Sequence, residues 1–137
     1  IRRQRQMCIR DRNNNCLLHH TVSNIAEKYC MSSIFVLSSR YEGFGLVLAE
    51  AMSCGIPCVS FDCPHGPSDI IKDYEDGLLV EKENIKELAD KICYLIENEN
   101  VRIKMGHKAR ENVKRFLPEN VMPQWKNLFE SLTYSSK

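Results

Sequence analysis

Glu42 and Glu50 are separated by seven residues, and the stretch between them, Gly43-Phe-Gly-Leu-Val-Leu-Ala49, begins Gly-Phe-Gly and continues apolar. An ionised carboxylate accepts two hydrogen bonds at once, so a pair of them suits vicinal hydroxyls such as those of a sugar. Gly43 and Gly45 flank Phe44 where a helix is expected to begin. Uncrowded N–H groups and the positive helix end there favour an anionic or hydroxyl-rich ligand. Glu50 has Leu46, Val47, Leu48, Ala49, Ala51 and Met52 around it. A helix apolar on all sides is expected to be buried, and a buried carboxylate needs a partner. The competing reading is an edge-facing or ion-paired structural glutamate.

The flanking segments place this stretch. Ile34-Phe-Val-Leu37 is a continuous apolar run bounded by serines, as in a strand buried on both faces of a parallel sheet. Pro57-Cys-Val-Ser-Phe61 reads as a second such strand, with Pro at its first residue. Leu78-Leu-Val80 reads as a third, after the turn Glu75-Asp-Gly77. Between them, Leu46 to Met52 reads as a helix, Asp62-Cys-Pro-His-Gly-Pro67 as a loop and Ser68 to Ile71 as a helical turn. Glu42 and Glu50 therefore follow the carboxyl end of a parallel strand, where open α/β sheets bind ligands.

Capping boxes at Asn24-x-x-Glu27 and Asn84-x-x-Glu87 open two more helices. The first spans about residues 24–31 with Ile25, Tyr29 and Cys30 on one face. The second places Ile85, Leu88, Ile92, Leu95 and Ile96 at helical spacing. A helix over Val101 to Phe116 follows, ending before Pro118. A final amphipathic helix carries Val121, Trp125, Leu128, Phe129 and Leu132 as its stripe. Strand–helix alternation predicts an α/β fold, a Rossmann-like parallel sheet flanked by helices.

Other chemistry-bearing residues read more plainly. His65 is a loop histidine near the expected cleft, and His107 lies among Lys104, Lys108 and Arg110 on a solvated helix face. His19 and His20 precede the first helix. Arg40 suits either a diphosphate or a surface ion pair. Gly43-Phe-Gly45 lacks the third glycine of a dinucleotide fingerprint. The seven cysteines are odd in number and irregularly spaced, which predicts reduced thiols rather than a disulfide framework or a zinc knuckle.

Composition allows one packed domain: 137 residues, 43% hydrophobic and 27% charged. No apolar run reaches the roughly 18 residues of a membrane span, and the start lacks a secretory leader, so a cytoplasmic location is expected. Ile1 to Arg12 holds five arginines and one aspartate. A basic arm ordinarily suggests nucleic acid, but Arg2 to Asp11 match one reading frame of a transposon-adaptor end used in sequencing libraries. Residues 1–12 are thus expected to be adaptor-derived and non-native, and no nucleic-acid partner is expected. Without them the formal net charge moves from +1 to −3.

Taken in order, Glu42-Gly-Phe-Gly-Leu-Val-Leu-Ala-Glu50, the continuation Ala51 to Val59, Gly66-Pro-Ser-Asp-Ile-Ile71 and Asp76-Gly-Leu-Leu-Val80 resemble the retaining GT-B glycosyltransferases of family 4, also called group 1. The likeness covers roughly residues 17–134 and is closest to enzymes that build bacterial surface glycans. It implies the carboxyl-terminal, nucleotide-sugar-binding half of a GT-B fold over residues 13–118. A terminal helix over 119–137 would cross to an amino-terminal domain. By resemblance, Glu42 is catalytic and meets the donor sugar; Gly43, Phe44, Gly45 and Leu46 line the sugar–phosphate pocket; Glu50 holds the ribose hydroxyls. The donor would be a UDP- or GDP-sugar, with no metal or other cofactor. The acceptor would be a glycan or lipid-linked acceptor, bound by the amino-terminal domain. Peripheral membrane association of the full enzyme is left open.

In the resembled family a basic pair early in this half neutralises the diphosphate. Upstream of Ser33 the only Lys or Arg after residue 12 is Lys28, so the chain alone is expected to be inert. Two other readings compete: a sugar-nucleotide isomerase of similar fold, which calls for further catalytic carboxylates and a histidine in the cleft, and a non-catalytic nucleotide-sugar-binding module.

Overall fold

The structure, a computed structural model, describes residues 17 and 20–134. Three parallel strands lie in the order β1 (Phe35–Leu37), β2 (Cys58–Asp62), β3 (Gly77–Glu81). The register pairs Phe35 with Cys58 and Leu37 with Ser60, then Cys58 with Gly77 and Asp62 with Glu81. Helix α1 (Ile25–Cys30) precedes β1, α2 (Leu46–Ser53) links β1 to β2, and α3 (Pro67–Ile70) links β2 to β3. After β3 come α4 (Ile85–Glu97), α5 (Glu99–Asn112), a 3-10 turn (Val113–Phe116) and α6 (Pro118–Tyr134). Both asparagine caps form: the Asn24 side chain accepts from the Glu27 N–H, and Asn84 accepts from the Glu87 N–H while donating to its carboxylate.

Alternation along β2 splits the core in two. Cys58 faces a cluster with Tyr29, Leu48, Ala51, Met52, Ile70, Ala109 and Val113. Val59 and Phe61 face the other way, against Leu78, Val80, Leu88, Leu95 and Met105. Burial of each large side chain stabilises the fold by about 1.5–3 kcal/mol relative to exposure. The central strand is thus buried on both faces, as expected of Pro57-Cys-Val-Ser-Phe61.

The edge strand departs from that expectation. Phe35 and Leu37 pack on the first cluster, so Val36 points to the other face and remains exposed. Helix α4 packs mainly over β2 and β3, and Val36 at the edge stays exposed. Helical periodicity also overstated burial elsewhere. Tyr29 is buried but Ile25 and Cys30 are exposed, and on α4 Leu88 and Leu95 are buried while Ile85 and Ile96 are exposed. The segment expected as one helix over 101–116 is α5 from Glu99 to Asn112, tightening into a 3-10 turn. Helix α2 is not buried all round: Leu48, Ala51 and Met52 face the core, whereas Leu46 and Val47 are exposed.

Candidate donor-binding site

Loop 38–45 joins the carboxyl end of β1 to α2, and loop 63–66 leaves the carboxyl end of β2 toward α3. The two loops are pressed together. Gly66 has φ +96°, and a Cβ built there would lie 2.3 Å from the Phe44 carbonyl oxygen. Only a glycine allows that approach. The Cys63 thiol also links the two, donating to the Ser39 carbonyl at 3.0 Å, while the Gly66 N–H donates to Asp69 Oδ2 of α3 at 3.2 Å. Phe44 meets Phe116 edge-on, with ring centroids 5.5 Å apart. Arg115 lies over Phe116 and donates to the Ile70 carbonyl at 2.6 Å.

Glu42 is half-buried in the first of these loops. Its charge reaches Cys63: burial pushes that thiol's pKa up, and Glu42 adds to the shift. Gly45, in the left-handed conformation at φ +88°, is the N-cap of α2, and no side chain caps that end. The N–H groups of the first helical turn at Leu46 and Val47 are therefore free to face an external acceptor. Gly43 has no positive φ, and a Cβ placed there would meet nothing within 4 Å. The fold itself has no need of glycine at that position.

Glu50 lies one turn farther along α2 than this cluster and is exposed, so it is not the carboxylate in an apolar shell that its neighbours suggested. Among the described residues its side chain accepts one hydrogen bond, from the Tyr29 hydroxyl at 3.2 Å. Tyr29 itself is buried, with its ring edge-on to Phe35 at 5.6 Å between centroids. Burial first, then Glu50, pushes its pKa up to about 12. The loop thus gathers Glu42, Gly43, Phe44, Gly45 and Leu46, while Glu50 extends the site along the α2 flank that faces α1.

Arg40 pairs with Glu83 at 2.9 Å on the surface, and His65 and His107 are exposed. His19 and residues 1–12 fall outside the described residues. Among the described residues no group of three His, Cys, Asp or Glu side chains is arranged to hold a metal ion. No described helix is long and apolar enough to cross a membrane. Sequence reasoning did not find Tyr29, Gly66, Arg115 or Phe116 as supports of the site. Gly66 carried the only local signal, a glycine between two prolines, Pro64 and Pro67.

The family model of the glycosyl transferases group 1 matches residues 3–112. The chain belongs to this family. The match includes residues 3–12, the stretch that also fits an adaptor reading frame. Among curated relatives, the poly(ribitol-phosphate) alpha-N-acetylglucosaminyltransferase of Staphylococcus aureus (strain COL) is 43% identical over 99 residues, covering 72% of this chain and 20% of that protein. A variant of S. aureus TarM solved with fondaparinux, alpha-GlcNAc-glycerol and UDP superimposes with TM-score 0.83 at 35% identity, over 92% of this chain and 26% of TarM. Sucrose-phosphate synthase from Thermosynechococcus elongatus superimposes with TM-score 0.85 at 26% identity, over 98% of this chain and 35% of the synthase. The chain spans about a fifth of the length of the S. aureus transferase. Its parallel sheet and flanking helices are the Rossmann-like α/β arrangement of the carboxyl-terminal half of GT-B glycosyltransferases.

Proposed function

We propose that this group 1 chain is the donor-binding half of a retaining glycosyltransferase of family 4 type, which moves a sugar from a UDP- or GDP-sugar to a glycan or lipid-linked acceptor. The observation that carries the reading is Gly43: it is a glycine the fold does not require, standing open beside the uncapped start of α2. A Cβ-free backbone there lets a ligand come within hydrogen-bonding distance of the main chain. In this reading the first-turn amides of α2 receive the phosphates, Glu42 accepts from donor-sugar hydroxyls, and Glu50 accepts from the ribose hydroxyls. Tyr29 holds the Glu50 carboxylate toward α1 while one of its oxygens remains for the ribose. No metal is needed. The TarM complex with UDP supports a UDP donor, and the names of the relatives support a polymer acceptor.

In this reading Arg40, the cation of loop 38–45, is engaged by Glu83, and the charge on the departing diphosphate is met by a further domain that also holds the acceptor. The terminal helix α6 is the segment proposed to contact it. The adaptor origin of Ile1 to Arg12 rests on the reading-frame match, and resequencing the locus without transposon-based libraries decides it.

The donor assignment is tested in the complete enzyme. Glu50→Ala should weaken donor binding about 10- to 150-fold, the equivalent of about 1.5–3 kcal/mol for charge-assisted hydrogen bonds, with acceptor KM unchanged. Glu42→Ala should lower kcat as well. Unchanged donor affinity in Glu50→Ala removes its assigned role, and an inverted anomeric product removes retention.

A further inference from the structure

Helix α1 has six residues, of which only Tyr29 is buried. A helix this short is marginal without tertiary support. Its support is the packing on α2, the edge-on contact of Tyr29 with Phe35 and the Tyr29–Glu50 hydrogen bond at 3.2 Å. Elements with so few buried contacts open locally at a fraction of the cost of global unfolding. Each time α1 lifts away, Glu50 loses its tyrosine partner.

Two thiols sit beside that tie. Cys30 is the last residue of α1 and follows Tyr29 directly. Cys54 ends α2 one turn beyond Glu50, and its N–H donates to the Glu50 and Ala51 carbonyls at 3.4 and 3.1 Å. Cys30 is exposed, whereas Cys54 is half-buried against the core cluster that holds Tyr29. The two side chains adjoin: burial pushes the Cys54 thiol up and Cys30 adds to the shift, while Ser53 and Arg110 lower it. Arg110 reaches this corner from α5, where a Cβ built at Gly55 would lie 3.9 Å from its Cδ.

The other described cysteines are placed differently. Cys58 and Cys63 are buried, and their thiols donate to the Leu48 carbonyl at 3.8 Å and the Ser39 carbonyl at 3.0 Å. Cys93 is exposed on α4, whose buried residues belong to the other core cluster.

We propose that Cys30 and Cys54 are a redox-modification site: they form a reversible disulfide that staples α1 to α2, made by exchange with a low-molecular-weight disulfide and undone by thiols. The exposed Cys30 reacts first. Its thiolate attacks one sulfur of the small disulfide, forming a mixed disulfide and expelling one small thiolate. The Cys54 thiolate then attacks the Cys30 sulfur, forming the Cys30–Cys54 bond and expelling the second. The two protons lost by the cysteines pass through solvent to the two small thiolates, so two protein thiols and one small disulfide become one protein disulfide and two small thiols. In reducing surroundings such a bond is transient, as in redox-sensing pairs.

The staple closes one residue from Tyr29 and one turn from Glu50, so it blocks the local opening of α1 and keeps the tyrosine on the carboxylate. It stands without the donor reading; only its effect on UDP rests on the ribose role proposed for Glu50.

The test treats the full chain with oxidised glutathione. Peptide mapping should find the Cys30–Cys54 bond, with a mass loss of two hydrogens that dithiothreitol reverses. Amide hydrogen exchange over 25–30 should slow several-fold, and the urea midpoint should rise, because the bond also constrains the unfolded chain. Cys54→Ser should stop at the mixed disulfide, with one glutathione retained on Cys30, and should show neither change. Cys30 is exposed, so Cys30→Ser supplies a second control that keeps the core intact. The proposal is overturned if glutathione stays on Cys30 in the parent chain, if either cysteine pairs preferentially with another or between chains, if neither reacts, or if exchange in α1 is unaltered by the bond. UDP should bind the stapled chain several-fold more tightly. Stapling with unchanged UDP affinity overturns the link to the donor, and Glu50→Ala, which leaves both thiols in place, tests the donor role separately.

Discussion

The Tyr29 hydroxyl donates to Glu50 Oε2 across 3.2 Å and so ties α1 to the outer flank of α2. Tyr29 is buried, and burial together with Glu50 pushes its pKa up to about 12, against about 10 for a free tyrosine. The folded state thus binds the phenolic proton more tightly than the unfolded chain does. The stability from this group is complete below pH 10 and is lost as pH rises from about 10 toward 12. Tyr29→Phe keeps the ring contact with Phe35 and should cost about 1 kcal/mol at pH 7. Urea midpoints recorded between pH 7 and pH 11 should converge for the two proteins as pH rises. A constant gap would show that the hydroxyl is not the group being titrated.

Gly66 and Gly43 make opposite predictions from the same substitution. Gly66→Ala forces a Cβ to 2.3 Å from the Phe44 carbonyl oxygen at a φ of +96°, so backbone must move. Strain of this kind costs about 1–3 kcal/mol and overpacking a similar amount, so a loss of at least about 2 kcal/mol is expected in urea unfolding. Gly43→Ala meets open space and should leave stability within about 0.5 kcal/mol of the parent. Its effect should appear instead in donor affinity, measured by UDP titration. A Gly43→Ala protein that is unstable, or that binds UDP unchanged, removes the main support for the donor site.

Much of this was legible in the chain itself. An unbroken apolar run followed by a glycine pair and a helical pattern locates strand, loop and helix, and the cap pairs Asn24/Glu27 and Asn84/Glu87 mark helix starts to the residue. Where sequence reasoning went astray, it treated an apolar residue as a buried one. Val36, Leu46, Ile85 and Ile96 are apolar but exposed, because coverage depends on which helix lies over which strand. Partners distant in sequence were equally invisible. Tyr29 and Glu50 are 21 positions apart, and Arg115 reaches the Ile70 carbonyl across 45. Only the fold brings them together.

A buried carboxylate outside the site makes the next prediction. Asp76 is fully buried: Oδ1 accepts from the Lys72 N–H at 2.7 Å, and Oδ2 accepts from Asn112 Nδ2 at 2.9 Å. This fastens the turn before β3 to the end of α5. Asn112→Ala strips one partner from a buried charged group and should cost about 1–3 kcal/mol. Asp76→Asn, which keeps the shape but loses the charge, should cost less if Asn112 can rotate its amide to match. Thermal unfolding of the two variants ranks them, and equal stability of Asn112→Ala and the parent would contradict the role given to this pair.

Helix α6 ends the chain with its stripe uncovered. Trp125, Leu128, Phe129 and Leu132 are each about half exposed, and Trp125 stacks on Phe129 with ring centroids 5.7 Å apart. Pro123 lies inside the helix without ending it. Contiguous apolar surface of this kind marks an interaction face or an aggregation liability. The sole tryptophan makes the state of the stripe measurable. In dilute monomer its emission should be red-shifted and readily quenched by iodide or acrylamide. On concentration, or on addition of a domain that covers the stripe, emission should shift to the blue and quenching should fall. Replacing Leu128 and Phe129 with serine should abolish that concentration dependence while leaving the unfolding midpoint nearly unchanged, since neither side chain belongs to the two buried core clusters. A monomer whose tryptophan is already blue-shifted and protected would mean that the helix docks on its own domain in solution, and the stripe would then not be an interface.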